Sequence, residues 1–254
     1  MKTVLITGCS SGFGLEIARY FLERDWRVIA TMRTPRADVL PTSDRLRVLA
    51  LDVTDPASIA AAVDAAGPID VLVNNAGVGA AAPFELTGPD LARALFETNT
   101  IGTMAMTQAF LPQFRARGAG TIINVTSTVT LKALPLLSMY TASKAAVNAF
   151  SASLAIELAP FGIGVRVVLP GRSPETQFGD NAYRHGLESA DYADLIQQTI
   201  ARITDESGPV THAMDVAEAV WRAATDPAAP MHTPAGADAL EWAREAGLPT
   251  APTS

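Results

Sequence analysis

Cysteine, histidine and lysine are all scarce in this 254-residue chain, with one, three and three residues respectively. The single cysteine, Cys9, cannot close an internal disulfide, and the histidines show no HxxxH or similar ligand spacing. No metal is therefore expected, and a reducing, cytoplasmic compartment fits. Positive charge is also in deficit. The 19 Lys plus Arg stand against 26 Asp plus Glu, a formal charge of −7, which repels a phosphate backbone and argues against nucleic acid as a partner. Long apolar runs are missing too. The longest uncharged stretch, Thr98 to Phe114, is interrupted by Asn99, Gly102, Gln108, Pro112 and Gln113, whereas a spanning helix needs roughly 20 consecutive apolar residues. Near the N-terminus the apolar run Val4 to Ile6 is too short for a signal peptide. The expectation is a soluble protein with no membrane partner.

What the chain does have is 48% apolar against 18% charged residues, enough to bury a sizeable core in one domain. Short β-branched runs alternate with alanine-rich helical stretches, the pattern of βαβ units that build a parallel sheet. Strands are expected at Thr3–Thr7, Arg27–Thr31, Leu46–Leu51, Ile69–Val73, Thr121–Val125 and Val165–Leu169. Helices are expected at Leu15–Arg24, Pro56–Ala66, Pro89–Arg117 with an interruption near Asn99–Gly102, and Ser138–Leu158. Two more are expected within Ala190–Ile203 and Met214–Ala224. The fold class is α/β, with residues 1–248 as the domain and Pro249–Ser254 as a tail.

Between the first strand and first helix lies Thr7-Gly8-Cys9-Ser10-Ser11-Gly12-Phe13-Gly14. Glycines at such a turn let backbone approach a pyrophosphate, and the helix N-terminus adds free N–H donors and the positive end of a dipole. The spacing is G-x-x-x-G-x-G rather than G-x-G-x-x-G. No lysine follows Gly12, which excludes a P-loop. The same residues read as G-x-S-x-G, so a hydrolase with Ser10 as nucleophile is a rival. However, an elbow on the first strand leaves no earlier loop to supply the second oxyanion donor. His185, His212 and His232 each sit beside loop-forming residues and read as ordinary surface histidines, with no partner carboxylate at a telling spacing.

A second constellation is Ser127, Tyr140 and Lys144, the last two forming Y-x-x-x-K on one helix face. Bringing a tyrosine from pH 10 to neutrality takes about 3 pKa units, or ~4 kcal/mol. One cation ~4 Å away supplies about that much at an effective dielectric of 20. The expectation is a tyrosine with a lowered pKa that protonates a carbonyl oxygen.

Taken in order along the chain, these residues resemble the short-chain dehydrogenase/reductase family, and Gly8 to Gly12 with Ala30-Thr31-Met32-Arg33 look most like its hydroxysteroid and retinol dehydrogenase group. Thr7 to Gly14 matches the cofactor turn, Asp52-Val53 the adenine contact and Asn74-Asn75-Ala76-Gly77 the NNAG segment. Asn99 matches the helix asparagine, Tyr140 with Lys144 the YxxxK pair, and Ser127 lies 13 residues before Tyr140 as the family's serine does. The resemblance implies a Rossmann-like doubly wound parallel sheet and hydride transfer between an alcohol and a carbonyl. It implies cofactor contacts from Gly8, Ser10, Ser11, Gly12, Phe13, Gly14, Asp52, Val53, Asn74, Ala76, Gly77, Tyr140, Lys144, Pro170 and Gly171. Tyr140 would donate the proton, Ser127 would bind the carbonyl oxygen, Lys144 would bind ribose, and Asn99 would hold a relay water. A catalytically silent nicotinamide-binding sensor stands as an alternative.

Four further expectations follow. NADP(H) is preferred over NAD(H), because the end of the second strand has no acid before Arg33, and Arg33 with Ser11 can meet a 2′-phosphate. The substrate is a lipophilic ketone or secondary alcohol, read from Leu131, Leu134, Leu136, Leu137, Met139 and the stretch Val78 to Phe84. Small residues at Ala142, Ala145, Ala146, Ala149, Ser151, Ala152 and Ser153 allow close helix packing in a homodimer or homotetramer. Finally, Pro170 to Phe178 departs from the family's PGxVxT, with Ser173 for Val and Glu175 at the Thr position. Thr176 is expected to recover the lost contact, and Gly179 to Asp191 to form a mobile lid.

Overall fold

The computed structural model describes residues 1–248 except Ala37, Asp180 and Glu206; the expected tail, 249–254, lies outside the described residues. Seven parallel strands form one sheet in the order β3-β2-β1-β4-β6-β7-β9. They are β1 (Thr3–Ile6), β2 (Arg27–Met32), β3 (Leu46–Ala50), β4 (Val71–Asn74), β6 (Gly120–Val125), β7 (Ile163–Pro170) and β9 (His232–Ala235). A separate pair joins β5 (Ala80–Ala81) to β8 (Tyr183–Arg184). The helices are α1 (Gly12–Leu22), α2 (Pro56–Ala66), α3 (Pro89–Phe96), α4 (Gly102–Arg117), α5 (Ser138–Leu158), α6 (Ala193–Thr204), α7 (Ala213–Thr225) and α8 (Ala237–Glu245).

The strands are apolar on both faces because helices cover both. In β1, Val4 and Ile6 belong to the core beneath α1 and α7, while Leu5 belongs to the core beneath α2, α4 and α5. The same alternation splits Val28 and Ala30 from Ile29, and Ile123 from Ile122. The first core contains a cluster of Phe21, Trp26 and Trp221, with ring centroids 5.1–5.7 Å apart. The second contains fully buried Phe110 and Phe114, whose truncation to alanine would cost about 3–5 kcal/mol each.

The expected six strands and six helical regions are present, and α2 and α5 have the expected bounds. The interruption near Asn99 is a π turn, Glu97–Ile101, between α3 and α4. The seventh strand and α8 were not expected. Pro234 inside β9 argues against a strand, but β9 is an edge, where a missing N–H is tolerated. His232 therefore opens a strand and is half-buried rather than a loop histidine.

The strand order reverses at β1: β2 and β3 are added to one side, and β4 is added on the other. The crevice outside the carboxyl ends of β1 and β4 is where open α/β sheets bind ligands. Both Thr7–Gly14 and Asn75–Gly77 leave the sheet there.

Candidate active site

The turn after β1 is assembled around Thr7. Its Oγ1 accepts the N–H groups of Asn75 at 3.0 Å and Ala76 at 2.9 Å. Asn75 Nδ2 in turn donates to the carbonyls of Thr7 at 2.9 Å and Gly8 at 3.2 Å. Gly8 has φ +74°, and a Cβ there would lie 2.9 Å from Ala76 Cα; a Cβ on Gly14 would collide with the Gly8 carbonyl. Backbone thus fills the space that side chains would occupy. Gly12 opens the eleven-residue α1 behind an extended Ser11 whose side chain makes no cap bond. Phe13 packs against the core and helps seat this first turn. The cradle, with free N–H groups at a helix start, fits a dinucleotide pyrophosphate. Cys9 is buried in it, and burial pushes its thiol up to about 12, which makes it an inert packing group.

At the end of β2, Thr31 is buried and spends its hydroxyl on the Ile6 carbonyl at 3.0 Å. Arg33 is exposed, and its charge is one of the influences that keep the Asp52 carboxyl below its usual range, after hydrogen bonds from Thr54. A second arginine, not anticipated, joins it: Arg36 donates to the Ser10 carbonyl at 2.7 Å. Asp52 does not cap α2, a role taken by Asp55, which accepts from Ala57 N–H at 2.9 Å. Val53 packs on Gly102, where a Cβ would come within 2.8 Å of it.

Asn74 is buried, and its side-chain nitrogen donates to Thr107 Oγ1 at 3.1 Å and Asn124 Oδ1 at 2.9 Å, tying β4 to α4 and β6, while its Oδ1 has no hydrogen-bond partner among the described residues. Ala76 and Gly77 follow it at the crevice. Asn99 is likewise committed. It exchanges hydrogen bonds with the Val78 backbone at 2.8 and 2.9 Å and donates to Ser143 Oγ at 3.0 Å. Its side chain holds the segment after Gly77 against α5. A Cβ on Gly77 would lie 3.1 Å from both Asn99 Oδ1 and Lys144 Nζ, so a side chain there would crowd both groups.

Tyr140, Lys144 and Ser127 are buried together. Lys144 Nζ donates to the Val125 carbonyl at 3.1 Å, at the end of β6. The electrostatics run opposite to the expected lowering of the tyrosine pKa. Burial pushes Tyr140 up to about 12 against the pull of its Ser127 hydrogen bond, and burial pushes Lys144 down to about 8. Desolvation outweighs the Ser127 hydrogen bond, so Tyr140 is held as a neutral phenol and a proton donor.

The loop after β7 places Thr176 beside the glycine turn, its Cβ 3.6 Å from where a Cβ on Gly12 would stand. Glu175 turns the other way and accepts from Ala213 N–H at 2.6 Å. His212 Nδ1 lies 3.0 Å from Glu175, so this histidine has a carboxylate partner, contrary to the sequence reading. The expected lid is laid on the body of the protein: β8 pairs with β5, and Tyr192 donates to Glu85 at 2.6 Å. Asp180, within that segment, lies outside the described residues. Phe178, also unanticipated, has its ring centroid 5.8 Å from that of Tyr140. Leu136 adopts φ +64°, and its carbonyl accepts from Ala82 N–H at 2.9 Å. This strained residue pins the leucine-rich stretch before Tyr140 to the segment after β4.

None of the three histidines is hydrogen-bonded to Ser10 among the described residues, so the hydrolase reading lacks its base. Residues 2–185 match the short chain dehydrogenase family. The chain is 34% identical over 241 residues, covering 92% of it and 88% of the other, to the 3-ketodihydrosphingosine reductase of Bacteroides thetaiotaomicron. It is 44% identical to the uncharacterized oxidoreductase YusZ of Bacillus subtilis over 67% of this chain and 64% of that protein's length. Among solved structures, a short-chain dehydrogenase from Streptomyces avermitilis superposes with TM-score 0.85 at 36% identity, covering 96% of this chain and 91% of that one. The crevice at β1 and β4, with Ser127, Tyr140 and Lys144 along its edge, and these likenesses agree: the chain belongs to the short-chain dehydrogenase family and is an oxidoreductase of that family.

Proposed function

We propose that this protein transfers hydride between NADP(H) and a ketone or secondary alcohol carried on a lipophilic framework. The observation that carries the reading is the burial of Tyr140, Lys144 and Ser127 together beside the Gly77 backbone. When bound, the nicotinamide supplies or accepts the hydride. In reduction, the neutral Tyr140 phenol gives its proton to the carbonyl oxygen, and Ser127 Oγ donates a hydrogen bond to the same atom. Lys144, oriented by the Val125 carbonyl, would hold ribose hydroxyls, and Gly8, Gly12 and Gly14 would hold the pyrophosphate. Arg36 donates to the Ser10 carbonyl and Arg33 stands just beyond β2, and two cations with no acid at the end of β2 favour a 2′-phosphate over a bare 2′-hydroxyl. A serine dehydrogenase of similar structure, 29% identical with TM-score 0.79 over 93% of this chain and 95% of that one, was solved with NADP+. The lipophilic preference is supported by the leucines before Tyr140, by Phe178, and by likeness to the 3-ketodihydrosphingosine reductase. The test is nicotinamide absorbance with diverse ketones against NADPH and NADH, and with diverse alcohols against NADP+ and NAD+. Turnover of apolar ketones with NADPH is expected. A kcat/KM favouring NADH, or a preference for small charged substrates, would overturn the corresponding half.

The same reading extends to assembly. Ala142, Ala145, Ala149, Ala152, Ser153 and Ile156 form an exposed stripe on α5, continued by exposed Phe161, whereas Ser151 faces inward and accepts from Asn124 at 2.8 Å. A second copy packed on this face would bury it. Light scattering is expected to give a dimer or tetramer, and a monomer at micromolar concentration would count against it.

A further inference from the structure

The segment after β7 is held at two places by carboxylates, one from α8 and one of its own. The first anchor is buried. Asp238 accepts from Arg172 N–H at 2.6 Å and from the Thr211 hydroxyl at 2.6 Å, and Gly171 N–H donates to Thr211 Oγ1 at 2.9 Å. Thr211 N–H completes the tie by donating to the Arg172 carbonyl at 2.8 Å. The second anchor is at the surface, three residues on. Both oxygens of Glu175 are engaged at the start of the thirteen-residue α7: Oε1 by Ala213 N–H, and Oε2 by His212 Nδ1. An anion at this end of a helix is favoured by the dipole as well as by the hydrogen bonds.

Thr176 lies immediately beyond the second anchor and points the opposite way. Its Oγ1 donates to the Ser173 carbonyl at 3.0 Å, closing a tight turn, and its methyl group reaches the Gly12 turn. We infer that Glu175 is a positioning residue: by fastening the loop to α7 it turns Thr176 onto the glycine turn and so sets the affinity for the nicotinamide nucleotide. The inference rests on the proposed cofactor site, and it explains how a threonine displaced by one position reaches the cleft. The intervening residue faces outward and is held there by α7.

The test is fluorescence titration of the purified protein with NADPH, comparing wild type, Glu175→Ala, Thr176→Val and the double variant, with thermal melting alongside. Glu175→Ala and Thr176→Val are each expected to raise Kd about tenfold. The double variant is expected to be no weaker than Thr176→Val alone, because one group acts through the other. Glu175→Gln, which keeps an acceptor for Ala213 N–H without the charge, should recover part of the affinity and serves if the alanine variant is poorly folded. Unchanged Kd in Glu175→Ala, a Glu175→Gln variant as weak as Glu175→Ala, or losses that simply multiply in the double variant, overturns the inference while leaving the cofactor site standing. A wild-type protein that binds neither NADPH nor NADH overturns both.

Discussion

The two walls of the cleft are built by different means. On the β1–β4 side, Thr7, Gly8, Gly14 and Asn75 interlock through backbone and short buried side chains, with Gly8 against Ala76 and Gly14 against the Gly8 carbonyl. Beyond the Glu175 anchor on the β7 side, Tyr192 meets Glu85 through one side-chain hydrogen bond near the surface, and Phe178 is 40% exposed. In the first wall a Cβ at Gly8 or Gly14 would strike backbone. The second wall can exchange such contacts for water at little expense, because a typical hydrogen bond contributes roughly 0.5–1.5 kcal/mol net. A cleft of this kind fixes the part of its ligand that is always the same and leaves freedom where the substrate enters.

Variants on the fixed side should therefore be all-or-none, and the largest effect is expected at its chemical end. Tyr140→Phe retains the buried ring but removes the proton donor, so kcat should fall roughly 10²–10⁴-fold, while the Kd for NADPH stays near the wild-type value. Near-normal turnover in this variant would remove the tyrosine from the mechanism.

The next effect reports the rigidity of the same wall through pH. Lys144 is buried with its pKa pushed down to about 8, whereas in the unfolded chain it returns to about 10.4. Between these values the unfolded state binds more protons, so this lysine makes stability rise with pH, by an amount on the order of 3 kcal/mol across the window. Tyr140, pushed up to about 12 by burial, acts in the opposite sense above pH 10, where the unfolded state is the one that loses its proton. Urea denaturation from pH 7.5 to 10 should show wild type gaining stability relative to Lys144→Met. Parallel curves would show that the lysine is not desolvated in the fold.

Arg33→Ala should come third. Losing one charge-assisted contact to a 2′-phosphate should weaken NADPH about 10- to 100-fold and leave NADH unchanged. Equal losses for both nucleotides would move Arg33 from phosphate recognition to general support of the turn.

How far each wall was legible in sequence follows from the same contrast. The fixed wall is built from glycines and a YxxxK pair whose spacing carries their geometry, so Gly8 to Gly14, Tyr140 and Lys144 could be located before any fold was known. The sheet was legible because its strands are apolar on both faces, and β9 escaped because Pro234 speaks against a strand unless its edge position is known. What the local pattern did not carry depended on burial or on tertiary neighbours. The Asn74 amide nitrogen donates to Thr107 and Asn124, 33 and 50 residues away in sequence. The upward shift of Tyr140 comes from desolvation, which a spacing of four residues does not encode. His212 meets Glu175 across 37 residues, and Arg36 meets Ser10 across 26; neither pairing leaves a local pattern.

The smallest effect is expected on the adjustable wall, at Phe178. Its ring lies 5.8 Å from Tyr140 at a 52° tilt, and its edge fills the space above Gly79, where a Cβ would come within 2.9 Å of Phe178 Cε1. The ring is 40% exposed, so it is a movable cover and not part of the core. An aromatic contact of this sort contributes about 0.5–1.5 kcal/mol beyond its buried area. Phe178→Ala should accordingly raise KM for bulky apolar ketones about two- to tenfold, with kcat and the Kd for NADPH nearly unchanged, because proton donor and cradle lie on the other wall. Gly79→Ala should imitate it by displacing the ring from outside. A fall in kcat as large as that of Tyr140→Phe would mean that Phe178 belongs to the fixed wall after all, and that the cleft has no adjustable side at this point.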